Sequence, residues 1–211
     1  MKTENFSKTK IKICGLRRRE DILAVNEANP DYCGFIVEFP KSFRSVTADE
    51  VRELVENLSP EIQPVGVFVN ASMELVRSLL DDGTLAMAQL HGQENESYIA
   101  ELKAHTDKPV IKAFSIKTAD DMENALQSPA DYILLDQGSG GTGKTFDWSL
   151  IPKIECPFFL AGGIGEENLE QAIREIHPFA VDLSSSVETE KWKDPEKIRR
   201  VVDIVRTAVQ D

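Results

Sequence analysis

The sequence predicts an α/β fold, and within that class a single (β/α)8 (TIM) barrel. Three observations carry the prediction. Short, almost continuously apolar runs alternate with amphipathic stretches along the chain, there are eight of each kind, and no linker, Pro/Ser-rich tract or charge block interrupts them. Continuous apolar runs are how the strands of a parallel sheet read when both faces are covered. Eight βα units over 211 residues, about 26 residues each, make one barrel. A doubly wound sheet of five or six strands would leave two units without a place.

The first strand is expected over Lys10–Leu16, followed by a helix over Arg18–Ala28. Strand two, Tyr32–Glu38, leads to Ala48–Leu58 behind Thr47; strand three, Pro64–Val69, to Met73–Leu80 behind Ser72. Strand four, Leu85–Leu90, leads to Glu96–His105 behind Asn95; strand five, Pro109–Ser115, to Ala119–Leu126 behind Thr118. Thr47, Ser72, Asn95 and Thr118 each carry a side-chain oxygen that can accept from a first-turn N–H, which marks a helix start. Strand six, Tyr132–Asp136, precedes a helix over Asp147–Lys153, and strand seven, Pro157–Gly162, one over Glu166–Ile176. After strand eight, Ala180–Ser184, the helix Asp194–Val209 aligns Ile198, Val201, Val202, Val205 and Val209 on one stripe, with Pro195 in its first turn. Residues 1–9 read as a disordered tail, leaving 10–211 as the barrel domain.

Composition narrows the function classes. With 24 Lys+Arg against 36 Asp+Glu, the net charge of −12 argues against nucleic acid or an anionic membrane surface as the partner. An acidic ligand must therefore meet a local positive site. Three cysteines, at 14, 33 and 156, cannot form a complete disulfide framework. The polar start lacks a signal peptide, and no apolar run approaches the ~20 residues that span a bilayer, so the expected location is the cytoplasm. Three histidines as dispersed as 91, 105 and 177 do not make a zinc site, and no metal is expected.

Barrels of this kind do their chemistry at the C-terminal ends of the strands. Strand one ends in Lys12-Ile13-Cys14, and alternation puts Lys12 and Cys14 on one face. If Ile13 packs against helices, Cys14 points into the barrel mouth, where a thiol can act as acid, base or nucleophile; otherwise it is a small buried hydrophobe. Cys33 and Cys156 read as core or loop residues. Asp136 closes the apolar strand Tyr132–Leu135 and is a candidate for proton transfer, against a loop-ordering role. Arg44 offers a guanidinium fork to a carboxylate, unless it is simply solvated. His91, ending strand four, is either a titrating site residue or a structural one, whereas His105 and His177 precede strands at the opposite end. Gly162 and Gly163 after strand seven, and Ser184, Ser185 and Ser186 after strand eight, read as a phosphate cradle, against a turn plus a cap.

The segment Gly138–Thr145 matches the G-x-x-x-x-G-K-[ST] pattern of a nucleotide-binding loop. Its context does not fit. Pro152 ends the following helix within about two turns, and 66 residues beyond Thr145 are too few for the remainder of a nucleotide domain. A mobile glycine-rich βα loop closing over a phosphorylated substrate fits better.

Taken in order, Lys12-Ile13-Cys14-Gly15-Leu16, Pro40–Arg44, Val65–Asn70, Gln89–Glu94, Leu135-Asp136 with Gly140–Lys144, Phe146-Asp147-Trp148, Leu160–Gly163 and Asp182–Glu188 resemble the phosphoribosylanthranilate isomerase family of tryptophan biosynthesis. The resemblance runs from about residue 10 to residue 197. It implies an Amadori rearrangement of an aminoaldose to an aminoketose without cofactor or metal. Carried over by position, Asp136 would be the general acid and Cys14 the general base. Arg44 would hold the anthranilate carboxylate, with His91 also on the substrate. Gly162, Gly163, Ser184 and Ser185 would hold the phosphate, and Asp182 would reach a sugar hydroxyl. The implied partner is a small phosphosugar, and the implied assembly a monomer or homodimer. The chain departs from the family at Ser186, where a glycine is usual, and in the basic run Arg17-Arg18-Arg19, which is either a solvated helix start or an attractor for a dianionic substrate. The related histidine-pathway isomerase has an aspartate where this chain has Cys14. A non-catalytic phosphosugar-binding barrel would have no use for both Cys14 and Asp136.

Overall fold

The computed structural model describes residues 8–136, 148–154 and 156–208. Eight strands form the barrel: β1 (Lys10–Cys14), β2 (Tyr32–Val37), β3 (Gln63–Phe68), β4 (Met87–Leu90), β5 (Val110–Ser115), β6 (Tyr132–Asp136), β7 (Phe158–Leu160) and β8 (Ala180–Leu183). Each pairs in parallel with the next, and β1 also pairs with β8, so the sheet closes. At this seam Lys12 lies opposite Asp182, and Ile13 opposite Leu183. Closure leaves none of the eight barrel strands as an edge, and the two residues Ser45-Val46 add a short parallel strand beside the end of β2.

Seven helices among the described residues lie outside: α1 (Arg19–Ala28), α2 (Ala48–Val55), α3 (Met73–Asp81), α4 (Glu96–His105), α5 (Ala119–Leu126), α6 (Leu169–Ile176) and α7 (Pro195–Thr207). The expected caps are in place. Thr47 and Thr118 form capping boxes with Glu50 and Asp121, Ser72 and Asn95 accept from the third helical N–H, and Asp194 caps α7 ahead of Pro195. No helix among the described residues is long and apolar enough to cross a membrane.

Strand alternation sorts side chains into two layers. Ile11 and Ile13 of β1, Ala88 and Leu90 of β4, Ile133 and Leu135 of β6, and Val181 and Leu183 of β8 pack outward with the helices. Their neighbours face the barrel interior, where Val65, Met87, Ile111, Leu134, Phe159 and Ala180 form a second cluster. Rings of Tyr32, Tyr132, Phe159 and Phe179 meet there with centroids 5.0–6.5 Å apart. The same alternation turns Lys12, Cys14, Gln89, Asp136 and Asp182 inward, nearer the C-terminal rim.

The structure corrects three boundaries. Where a helix was expected over Asp147–Lys153, the described part is a single 3-10 turn, Trp148–Leu150. Pro152 has no N–H to donate and disfavours the α conformation in Ile151, so no longer helix runs on beyond Leu150. Helix α6 starts at Leu169, not Glu166, because Asn168 bonds locally, accepting from Gly165 N–H and donating to the Gly163 carbonyl. Thr9, assigned to the tail, is buried, and its hydroxyl donates to the Pro178 carbonyl at 2.9 Å. Lys8, also assigned to the tail, is exposed, while residues 1–7 and the glycine-rich segment Gly138–Thr145 lie outside the described residues.

Candidate functional site

A cavity of about 1100 Å³ opens at the C-terminal ends of the strands. Cys14, Arg44, His91, Asp136, Gly162, Gly163, Asp182, Ser184 and Ser185 all line it. Residues up to 171 positions apart in sequence thus meet at one rim because each ends a strand or begins the loop after it.

On the β1 side, Cys14 lies beside a buried ion pair. The Lys12 ammonium is fully buried and 3.0 Å from both carboxylate oxygens of Asp182. Burial by itself would lower the pKa of Lys12, but Asp182 and Cys14 beside it leave it raised. Burial pushes the Cys14 thiol up, against the pull of the Lys12 cation, and pushes the Asp182 carboxyl up against the same charge. Lys12 is thus the charge that favours a Cys14 thiolate. Gly34 on β2 leaves room for this group: a Cβ there would stand 2.8 Å from Cys14 Sγ and 3.1 Å from Lys12 Nζ.

Across the mouth, Asp136 ends β6 with 13% of its side chain exposed. His91 Nε2 lies 3.7 Å from Asp136 Oδ2, and His91 Nδ1 lies 2.9 Å from the Gln89 amide nitrogen. The turn holding His91 is braced from below. Glu94 accepts from Asn70 N–H at 2.6 Å and Gly92 N–H at 3.0 Å, while Lys112 donates to Glu94 at 2.9 Å and to the Gly92 carbonyl at 2.7 Å. Burial would raise the Glu94 carboxyl, but these bonds, Lys112 foremost, leave it lowered.

Arg44 has an internal partner that the sequence did not reveal. Its Nε and Nη2 donate to the two carboxylate oxygens of Glu188, each at 2.7 Å. Lys193 adds a bond to Glu188 at 2.8 Å and another to the Ser184 carbonyl at 2.9 Å. Burial would raise the Glu188 carboxyl, yet Arg44 and Lys193 hold it below the usual carboxylate range. Of the five guanidinium N–H groups, two are used by Glu188, and three have no hydrogen-bond acceptor among the described residues. Arg17, read from sequence as solvated or substrate-attracting, instead clamps loops: it donates to the carbonyls of Phe43 and Lys191 and stacks 3.8 Å from the Trp192 ring centroid.

At the far end, Gly162 and Gly163 adopt φ of +79° and +72°, conformations that favour glycine. A short 3-10 helix, Ser185–Val187, follows β8. The Ser184 hydroxyl donates to the Cys14 carbonyl at 3.0 Å and so ties β8 to β1, a use not expected of it. Ser186 sits against Gly165, where an added Cβ would lie 3.1 Å from that of Ser186.

Sequence reasoning noted Lys12 without a role, and missed Gln89, Glu188 and Lys193. A lysine inside an apolar strand was the available signal for Lys12, since such a residue is rarely buried unless paired. Glu188 and Lys193 lie opposite each other in a two-residue-per-strand antiparallel hairpin after β8, too short to leave such a signal.

The chain is similar to known proteins over nearly its whole length. The family model for N-(5'-phosphoribosyl)anthranilate (PRA) isomerase matches residues 11–204. The N-(5'-phosphoribosyl)anthranilate isomerase of Endomicrobium trichonymphae is 44% identical over 202 residues, covering 94% of this chain and 98% of the relative. That of Thermoanaerobacter sp. (strain X514) is 42% identical over 203 residues, covering 93% and 98%. Among solved structures, the phosphoribosyl anthranilate isomerase of Thermotoga maritima superposes with a TM-score of 0.83 at 36% identity over 94% of this chain and 98% of that one. A phosphoribosyl anthranilate isomerase in complex with reduced 1-(o-carboxyphenylamino)-1-deoxyribulose 5-phosphate gives 0.81 at 34% identity, with the same coverage.

Proposed function

The chain belongs to the N-(5'-phosphoribosyl)anthranilate isomerase family, and from that premise we propose how its own residues carry the reaction. It is an isomerase of tryptophan biosynthesis that converts N-(5-phosphoribosyl)anthranilate to 1-(2-carboxyphenylamino)-1-deoxyribulose 5-phosphate by an Amadori rearrangement. Asp136, as general acid, protonates the ribose ring oxygen while the C1–O bond breaks toward that oxygen and the nitrogen lone pair closes a C1=N bond. Cys14, as thiolate, then removes the C2 proton. The C–H electrons form C1=C2, and the iminium electrons return to nitrogen, giving an enolamine. Transfer of the enol proton's equivalent to C1 completes the ketone, and the enzyme resets when the thiol loses a proton and Asp136 regains one. The substrate nitrogen serves as the electron sink.

Arg44 directs its remaining N–H groups at the anthranilate carboxylate, with Glu188 and Lys193 fixing its orientation. Gly162, Gly163, Ser184 and Ser185 hold the phosphate through backbone N–H groups, and His91, which lines the same cavity beside Asp136, also contacts the substrate. Asp182 serves chiefly as the partner of Lys12, with a sugar hydroxyl as its second contact. The protein works in the cytoplasm as a monomer or homodimer; a Thermotoga maritima relative is described as dimeric and has been solved as monomers.

The observation that carries the reading is the facing pair, a thiol beside a buried ammonium and a carboxyl across the same cavity. Loss of the fluorescence of the anthranilate adduct on adding purified protein tests it. No loss at micromolar enzyme overturns it.

A further inference from the structure

Gln89 lies on β4 between Val67 of β3 and Ile111 of β5. It is 1% exposed, yet its side chain borders the cavity. Its amide nitrogen is 2.9 Å from His91 Nδ1, and its carbonyl oxygen has no hydrogen-bond partner among the described residues. Packing alone does not call for an amide here, because a leucine or methionine would fill the space without leaving a buried carbonyl unpaired. The N–H directed at the ring supplies the reason. An amide N–H donates only to a ring nitrogen that keeps its lone pair, so this contact is a hydrogen bond when Nδ1 is bare and the ring's proton is on Nε2. That nitrogen is the one 3.7 Å from Asp136 Oδ2.

Building on the assignment of Asp136 as general acid, we propose that Gln89 is a positioning residue that fixes His91 in its Nε2–H tautomer and so directs the ring's one proton at Asp136. When Asp136 gives its proton to the ring oxygen, a carboxylate is left. The His91 N–H then donates a hydrogen bond to that carboxylate, with no proton changing hands. A separation of 3.7 Å is long for such a bond, and catalytic bonds of this kind tighten when ligand is bound. The wrong tautomer would present a lone pair to the new negative charge instead.

The test reads the ring nitrogens directly. The chain has three histidines, so the His91 signals in a protein labelled with 15N-histidine are assigned by their loss in a His91→Gln variant. At about pH 8, above the ordinary imidazole range, the wild type should show a bare Nδ1 and a protonated Nε2. Gln89→Leu should give a mixture, and Gln89→Glu, which can only accept, should move the proton to Nδ1. A wild-type His91 that is Nδ1–H, or mixed, overturns the proposal without recourse to any variant. In kinetics, Gln89→Leu should lower kcat roughly 10- to 100-fold, part of the ~10²–10⁴ carried by a proton-transfer group, with KM little changed. In an Asp136→Asn background the same substitution should cost nothing further, since no carboxylate remains to be met. Equal losses in both backgrounds would mean that Gln89 acts elsewhere. An inactive wild type overturns the functional reading, while the tautomer is decided by the nitrogen shifts alone.

Discussion

Replacing Gly34 with alanine adds one methyl group at the point where the proposed base is seated. The Cβ would lie 2.8 Å from Cys14 Sγ, 3.1 Å from Lys12 Nζ and 3.2 Å from Lys12 Cε. Ordinary contact needs roughly 3.5–4.0 Å, so the sulfur must retreat by about 1 Å. Lys12 cannot give way in its place, because both oxygens of Asp182 hold its ammonium. Nor does backbone strain confuse the result, since Gly34 is not among the positive-φ residues. A misplacement of about 1 Å in a reacting group can lower the rate some 10²-fold, and overpacking a filled site destabilises by roughly 1–3 kcal/mol. For a chain of this size that is a fall in Tm of a few to about ten degrees. The expected variant is folded, binds substrate with little change in KM, and loses about two orders of magnitude in kcat. Adduct fluorescence gives the turnover, and washout of deuterium from C2 isolates the step. A folded Gly34→Ala protein with wild-type kcat and wild-type washout would show that the base is not Cys14 held against β2.

Four further outcomes follow from the same geometry. Because burial raises the Cys14 thiol and Lys12 opposes it, the C2-deprotonation rate should climb with pH as the thiolate forms; Lys12→Met removes the opposing cation and should move that limb to higher pH, so a superimposable profile counts against the pairing. Lys112→Met strands the Glu94 carboxylate, whose side chain is 2% exposed, and should lower stability by roughly 3–5 kcal/mol in urea unfolding; a loss below about 1 kcal/mol would contradict the bracing role. Arg44→Ala should chiefly raise KM for the anthranilate-bearing substrate, and a large fall in kcat at constant KM would instead put Arg44 in the chemistry. ATP or GTP should give no heat of binding in calorimetry despite Gly138–Thr145, and micromolar affinity would reopen the nucleotide reading.

The barrel was legible because each strand is a short apolar run closed by polar or glycine punctuation, a pattern that survives without knowledge of partners. Cys14 and Asp136 stood out for the same reason, as polar side chains ending runs whose other members pack outward or inward in strict alternation. What the chain did not disclose was pairing at long range. Arg44 and Glu188 are 144 residues apart and Lys12 and Asp182 are 170 apart, so only the closed sheet brings them together. The helix expected over Asp147–Lys153 is cut, in its described part, to the turn Trp148–Leu150, because Pro152 acts on Ile151 before it and so shortens the element further than a stop at its own position would.

The seam between β1 and β8 has a consequence for how the protein comes into being. The first strand finds its second partner only when the eighth has been made, because Lys10 through Ile13 pair with Ala180 through Leu183. During synthesis the early strands must wait, held by their helices and by β2, with an open flank. The Lys12–Asp182 ion pair lies across that last joint, and Ser184 bonds the Cys14 carbonyl beside it. A chain that has collapsed but not closed leaves Lys12 without its counter-charge and Cys14 without its setting. Ring closure and competence therefore arrive in one event, and a preparation containing unclosed chains should lose specific activity in proportion to their fraction while each closed molecule keeps its full rate.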